Sequence, residues 1–378
     1  MSRNRMVGVL VGIVVAAIVV FLLLRKKPID NTDTQHPAVA DSGPGIAFAA
    51  HDSGPAEVTD ASAASSVIAL STPDDASAPA GNVFATAAWG SQLGQLGHER
   101  PQEANPEGPM SMTSDAQGNV WVLDQVNHRL VRYDRSGRAQ QAIPLAQTAP
   151  QDVQIMRNGN IAVLDRHGDA NVTLMGPDGR TLGSLPLSGP GISEPGAVTA
   201  LMTDGDDVFV EREHGPLVRL GTADGTPSLN DGSRDEIPGR PTRDGQSYIS
   251  AGLVEPETGR FLINSIARDT GDHRWTRQLQ VQLHLLGILL LDTDRHGTIY
   301  TAVVGIPPGT EELTEGNHDI VGLLCLDPAD GHPIGQTTLP PNTVPEESFR
   351  DIVVLDDGGI IYQHRTDNGV TLERYNCQ

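Results

Sequence analysis

Residues 108–138 read GPMSMTSDAQGNVWVLDQVNHRLVRYDRSGR, and this stretch decides the fold. Met110 to Ser114 is a first short strand. Asp115-Ala116-Gln117-Gly118 is a turn, because an aspartate bonds its own backbone two residues on and a glycine accepts a positive φ. Val120 to Leu123 is a β-rich second strand, and Asp124 to His128 is a polar connection. Arg129 to Tyr133 alternates polar and apolar, which suits a half-buried third strand. Asp134 to Gly137 turns again, towards a fourth strand near Ala139 to Pro144. One small sheet of this kind does not stand alone, so the pattern must recur.

It recurs down the chain. Arg157 to Asp165 repeats the turn and second strand, with Gly176 to Gly179 as its later turn. Asp204 to Val210 repeats them again, followed by Ala223 to Gly225, and Glu257 to Ile263 is a weaker copy. Asp294 to Tyr300 is a strong copy with Asp327 to Gly331 behind it, and Asp356 to Tyr362 is the last. About six units at a spacing of roughly 40 to 60 residues predict a β-propeller. The match is tightest in Val122 to Leu130, whose Asp124 and Asn127-His128-Arg129 resemble the NHL-repeat family of six-bladed β-propellers. The resemblance covers residues 82–378 and implies a ring of six four-stranded blades. The final unit supplies only three strands before the chain stops. Asn82 to Ala88 is therefore expected to return as its fourth, which removes two open sheet edges.

Ahead of the ring, Met6 to Leu24 is an uncharged apolar run. As a helix it would span roughly 29 Å, one bilayer core. Basic flanks stand on both sides, Arg3 and Arg5 before it and Arg25-Lys26-Lys27 after it, and the run ends in Leu22-Leu23-Leu24, a poor junction for cleavage. Residues 1–27 therefore read as an uncleaved signal anchor, a single transmembrane helix. Near-flank charge favours keeping the downstream side in the cytoplasm. Against that, no Lys or Arg occurs between Pro28 and Glu99, so a propeller outside the cytoplasm is the expectation. Residues 28–81 are Ala, Ser, Asp, Pro and Gly rich and read as a disordered tether. Within it, Ser66 to Leu70 is taken as a chance apolar patch. The expected class is all-β: a six-bladed NHL-like propeller (82–378) behind a membrane helix and a tether.

A net charge of −22 opposes nucleic-acid or anionic-lipid binding through a broad surface. Lys26 and Lys27 are the only lysines, an arginine bias that resembles a GC-rich bacterial genome. Cys325 and Cys377 fall in third-strand positions of neighbouring blades, where free buried thiols are the simpler expectation. No zinc-ribbon, metalloprotease or dinucleotide spacing occurs, and no nucleophile–base pair is readable, so no catalytic residue, metal or cofactor is assigned. Residues 229–245 and 306–317, rich in Gly, Pro and charge, read as long loops on one face.

The second-to-third strand connections collect Asp124, Asn127, His128, Arg129, Asp165, Arg166, His167, Glu211, Arg212, Glu213, His214, His364 and Arg365 on one face of the ring. Mixed charge and imidazole on ring loops suit recognition of a protein or peptide partner. The expected function is a membrane-tethered, non-catalytic binding propeller. The alternatives are a metal-dependent hydrolase or lyase working in the tunnel and a structural spacer of the envelope.

Overall fold

The computed structural model describes residues 67–70, 81–102, 106–229, 232–310, 319–344 and 347–376. The expected membrane helix at 6–24 lies outside them, as does most of the expected tether. Among the described residues no helix is long and apolar enough to cross a membrane.

Strand β1 (Asn82–Ala88) comes first. The first sheet is β2 (Ser111–Ser114), β3 (Val120–Asp124), β4 (Arg129–Tyr133) and β5 (Ala139–Pro144). The second is β6 (Asp152–Ile155), β7 (Ile161–Asp165), β8 (Asn171–Met175) and β9 (Thr181–Pro186). The third is β10 (Val198–Asp204), β11 (Asp207–Arg212), β12 (Leu217–Thr222) and β13 (Glu236–Ile237). The fourth is β14 (Arg240–Pro241), β15 (Ser247–Glu255), β16 (Arg260–Ala267) and β17 (His273–Gln280). The fifth is β18 (His284–Thr293), β19 (Ile299–Ile306), β20 (Ile320–Leu326) and β21 (Pro333–Leu339). The sixth is β22 (Ile352–Val354), β23 (Ile360–Thr366) and β24 (Gly369–Tyr375), and β1 completes it in the order β1-β24-β23-β22. All ladders are antiparallel, and the fold is a six-bladed β-propeller closed by its N-terminal strand, as the sequence predicts.

The turns form for the reason read from the sequence. Asp115 Oδ1 accepts from the Gln117 and Asn119 amides at 3.0 and 2.9 Å, and Gly118 sits at φ 76°. Asp294 does the same for His296 at 2.8 Å. Such first-to-second strand turns lie on one face, here the turn face. The second-to-third connections and the crossovers between blades lie on the other, the connection face.

Apolar side chains pack between adjacent sheets. Blades one and two share Leu123, Leu130, Val153 and Val163. Blades two and three share Leu164, Leu174, Leu201 and Val210. Blades four and five share Phe261, Ile263, Leu279 and Val303. Blades five and six share Tyr300, Cys325 and Tyr362, and the closure packs Ala85 and Ala87 against Val122 and Val370. The seam between blades three and four is polar instead. Glu211 bonds Arg240, Asp204 bonds Arg268, and the Arg268 guanidinium lies 5.6 Å from the Tyr248 ring centre.

Four sequence expectations change. Glu257 to Ile263 is not the first turn of blade four but its second-to-third connection, where Pro256–Thr258 is a 3-10 turn ending on Gly259 at φ 76°. The true first turn is Thr242 to Ser247, with Asp244 Oδ1 accepting from Gln246 N at 3.0 Å. The expected loop at 229–245 therefore contains β13 and β14, two-residue strands too short to show a period. Ile68 is not a chance patch. It is 7% exposed among Phe261, Leu279 and Val281 and bridges Val281 in parallel. Its N–H donates to Gln280 O at 2.8 Å, and Gln336 Nε2 donates to Ala69 O at 2.7 Å. Leu70 packs against Gly322, where a Cβ would come within 2.3 Å of it. Cys325 is buried and disulfide-bonded rather than free, its partner position lying outside the described residues.

Candidate partner-binding groove

Most of the predicted connection-face residues are turned inward to hold the blades together. Asp124 is fully buried and accepts from Gly97 N, Asn127 Nδ2 and Arg129 Nε at 2.9, 2.8 and 2.8 Å. Asn127 also reaches Gly90 O, and Arg129 reaches the carbonyls of Ser91, Gln92 and Gln95. This trio pins the segment that follows β1. Asp165 accepts from Ala149 N and Gly168 N at 2.8 and 2.6 Å. Arg166 donates to Val198 O at 2.9 Å and lies 5.0 Å from the Phe349 ring centre. Arg212 donates to Gly191 O at 2.7 Å. Arg365 is bidentate on Asp351 at 3.0 and 2.8 Å, and burial pushes the Asp351 carboxyl up despite that guanidinium. His364 lies 3.2 Å from Glu373. His128 and His167 are exposed, His128 in the left-handed region at φ 48°. The four histidines do not converge.

Glu211 and His214 belong to something else. Together with Arg240 they form the polar floor of a cavity of about 520 Å³ on the connection face, between blades three, four and five. Its walls are apolar: Ile249, Ala251 and Leu253 on one side, Leu286, Ile288 and Leu289 on the other. A cavity of about 160 Å³ at the axis shares Glu211, His214, Ile288 and Leu289 with it. A third of about 470 Å³, between blades five and six, shares Leu289 and Val304 and adds Pro341, Val344, Tyr362 and Arg365. The three cavities adjoin through these shared residues on the connection face. Leu286 and Leu289 are 56% and 53% exposed, an unusual state for leucines of an inner strand. Two register shifts in β18, at Leu285/Gly287 and Ile288/Leu290, turn them out.

The floor is electrostatically settled. Burial raises the Glu211 carboxyl, but His214, Arg240 and Thr199 together outweigh it and hold it at about 2. Arg240 lies at 2.9 Å and Thr199 Oγ1 donates at 3.0 Å, whereas His214 Nδ1 at 3.7 Å is an ion pair, too long for a hydrogen bond. Glu211 in turn draws the His214 imidazole up. The loop that presents His214 is left-handed at two successive non-glycine residues, Glu213 at φ 50° and His214 at φ 57°.

The tunnel carboxylates are matched by arginines: Asp152 by Arg350 at 2.6 Å, Asp292 by Arg243 at 2.6 Å, Asp204 by Arg268. Among the described residues, the one set of three ligand atoms close enough for a metal is Asp327, Asp330 and His332, on the outer turn of blade five.

The residues that sequence reasoning missed are Arg240, Leu253, Leu286 and Leu289. A signal for the leucines was present: residues 283–291 read LHLLGILLL, too continuous for an inner strand with one buried side.

No known family profile matches the chain, and no curated protein matches it. Solved propellers do. A DUF4221 family member from Bacteroides vulgatus is 10% identical over 79% of this chain and 98% of its own, with a TM-score of 0.49. A streptogramin B lyase is 13% identical over 74% and 97%, at 0.40. BamB from Moraxella catarrhalis is 15% identical over 79% and 93%, at 0.37. At these identities and scores they carry no argument about what the chain does.

Proposed function

We propose that this chain is an NHL-like propeller that binds a protein or peptide partner through its connection face, held at a membrane by residues 6–24 and facing outside the cytoplasm. The observation that carries the reading is the groove: exposed leucines of an inner strand line an apolar-walled cavity on the connection face, over a floor of charges that are already paired. Apolar side chains lose little by being covered, and the floor needs no further counter-ion. The disulfide at Cys325 accords with an oxidising compartment.

The test is a photo-cross-linking amino acid placed at Leu286 or Leu289 in the full chain, in its native membrane. A control at Ile334, 45% exposed on the outer strand of blade five, reports non-specific capture. A discrete adduct from the groove positions and none from the control supports the reading. Identical patterns from all three positions, or no adduct from any, would sink it. Protease added to spheroplasts checks the orientation: digestion upstream of a resistant propeller supports export, and protection until detergent is added contradicts it.

A further inference from the structure

Blade four lacks half of its inner strand. β14 is two residues long and pairs only Arg240 with Ile249 and Pro241 with Tyr248. β15 continues on the connection-face side to Glu255, and among the described residues nothing pairs with its inner edge beyond Ile249. Other blades cover this edge. In blade three, β10 pairs with β11 from Val198 through Asp204. In blade six, where β22 is also short, Asn342 and Thr343 take the Arg365 amide and carbonyl.

An antiparallel ladder turns alternate residues to alternate edges. Thr242 N donates to Ser247 O, so Ser247, Ile249, Ala251 and Leu253 direct their backbone groups inward. Ile249 meets Arg240. Ala251 and Leu253 direct theirs into the 520 Å³ cavity, where no described backbone meets them. The cavity therefore has the position and chemistry of an absent strand: an open β edge on one side, the leucines of β18 on the other, and Arg240 as the register point below.

We infer that this slot binds an extended segment of a protein partner by strand addition, antiparallel to β15 and continuing β14. The inference rests on the connection-face reading and specifies its mode. Charge at the entrance chooses the partner's flanks. Glu213, beside the lining His214, and Glu257, beyond the lining Leu253, are exposed on a chain of net charge −22, while Glu255, between Leu253 and Glu257, is paired with Arg260 at 2.9 Å. The segment that fits is apolar at alternate positions and flanked by lysine or arginine, its backbone supplying affinity and its alternate side chains meeting Leu286 and Leu289.

The experiment uses the full chain in detergent and a labelled, lysine-flanked peptide with an alternating valine-threonine centre. A matched peptide is N-methylated at the residues that would face β15. Strand addition predicts saturable binding, slowed hydrogen exchange at the Ala251 and Leu253 amides, and about tenfold weaker binding of the N-methylated peptide. Leu289→Glu, at a position exposed enough to leave folding unaffected, should abolish binding with unchanged melting. Equal affinity for both peptides, or no binding of either, overturns strand addition. The connection-face reading then stands or falls separately on the cross-links from Leu286 and Leu289. Concentration-dependent protection of Ala251 and Leu253 without peptide would assign the slot to a second copy of this chain and overturn the inference as well.

Discussion

Substituting Asp152 tests whether the ring is fastened at its axis. Asp152 opens β6 and is fully buried. Its Oδ1 accepts from Ser111 Oγ at 2.6 Å, joining blade one to blade two. Its Oδ2 accepts from Leu201 N at 2.9 Å in blade three and from Arg350 Nη2 at 2.6 Å on the crossover into blade six. Asp152→Ala leaves the Arg350 guanidinium, 17% exposed, without its carboxylate and the Leu201 amide without an acceptor. Removing one partner of a buried ion pair costs about 3–5 kcal/mol, more than the pair itself contributes, because the surviving charge stays desolvated. The expected loss is therefore about 3–5 kcal/mol in urea unfolding of the full chain followed by tryptophan fluorescence. Adding Arg350→Met removes the stranded charge and should recover at least about 1 kcal/mol, a coupling visible in the double-mutant cycle. A loss below about 1 kcal/mol for the single variant, the level of an exposed pair, would refute the reasoning. So would strict additivity of the two substitutions.

Two further outcomes follow from other parts of the ring. Glu211 has its carboxyl at about 2 against 4.5 when unfolded, so its contribution is full above about 4.5 and is lost as pH falls through about 2. The stability gap between the native protein and Glu211→Gln should close over that window in acid unfolding; a gap independent of pH would contradict the assignment. Ile68→Asp should undock the segment at 67–70 and speed hydrogen exchange at the Gln282 amide, which donates to Ile68 O, while the Leu279 amide, turned inward to Phe261 in the ladder with β16, stays protected. Unchanged exchange at Gln282 would mean the segment is not bound.

Many of the turns that the sequence displays use a side chain as well as a glycine, and blade four has one of the same kind at Asp244 and Gly245. Asp115, Asp134, Asp178, Asp224 and Asp294 each bond the backbone two residues on, so the turn is written into residue type. Blade four is displaced in the sequence reading because Pro256-Glu257-Thr258-Gly259 imitates such a turn on the opposite face. The closing strand was legible from a count of strands, a topological argument that needs no periodicity. The groove was not legible from its charges. Asp124, Asp165 and Arg365 look like loop residues available to a partner, and each is spent within the fold. Whether a charged side chain on a connection faces water or bonds the next crossover depends on contacts between positions far apart in sequence. The docking of Ile68 has the same origin. Gln280, which bonds Ile68, and Gln336, which bonds Ala69, lie in two different blades, and only assembly of the ring brings them together.

The order of attachments along the chain matters once force is considered. A pull on the chain upstream of Val67 reaches the Ile68 contact before it reaches β1, whose ladder with β24 closes the ring. Two backbone hydrogen bonds, from Ile68 N and Gln282 N, and two apolar anchors, Ile68 and Leu70, stand in series ahead of that ladder. Among the described contacts they would yield first, and the chain from Ile68 to Gly81 has a contour length of about 45 Å. The docked segment would thus act as a mechanical fuse: a pull from upstream is taken up as length before the seal of the ring is loaded.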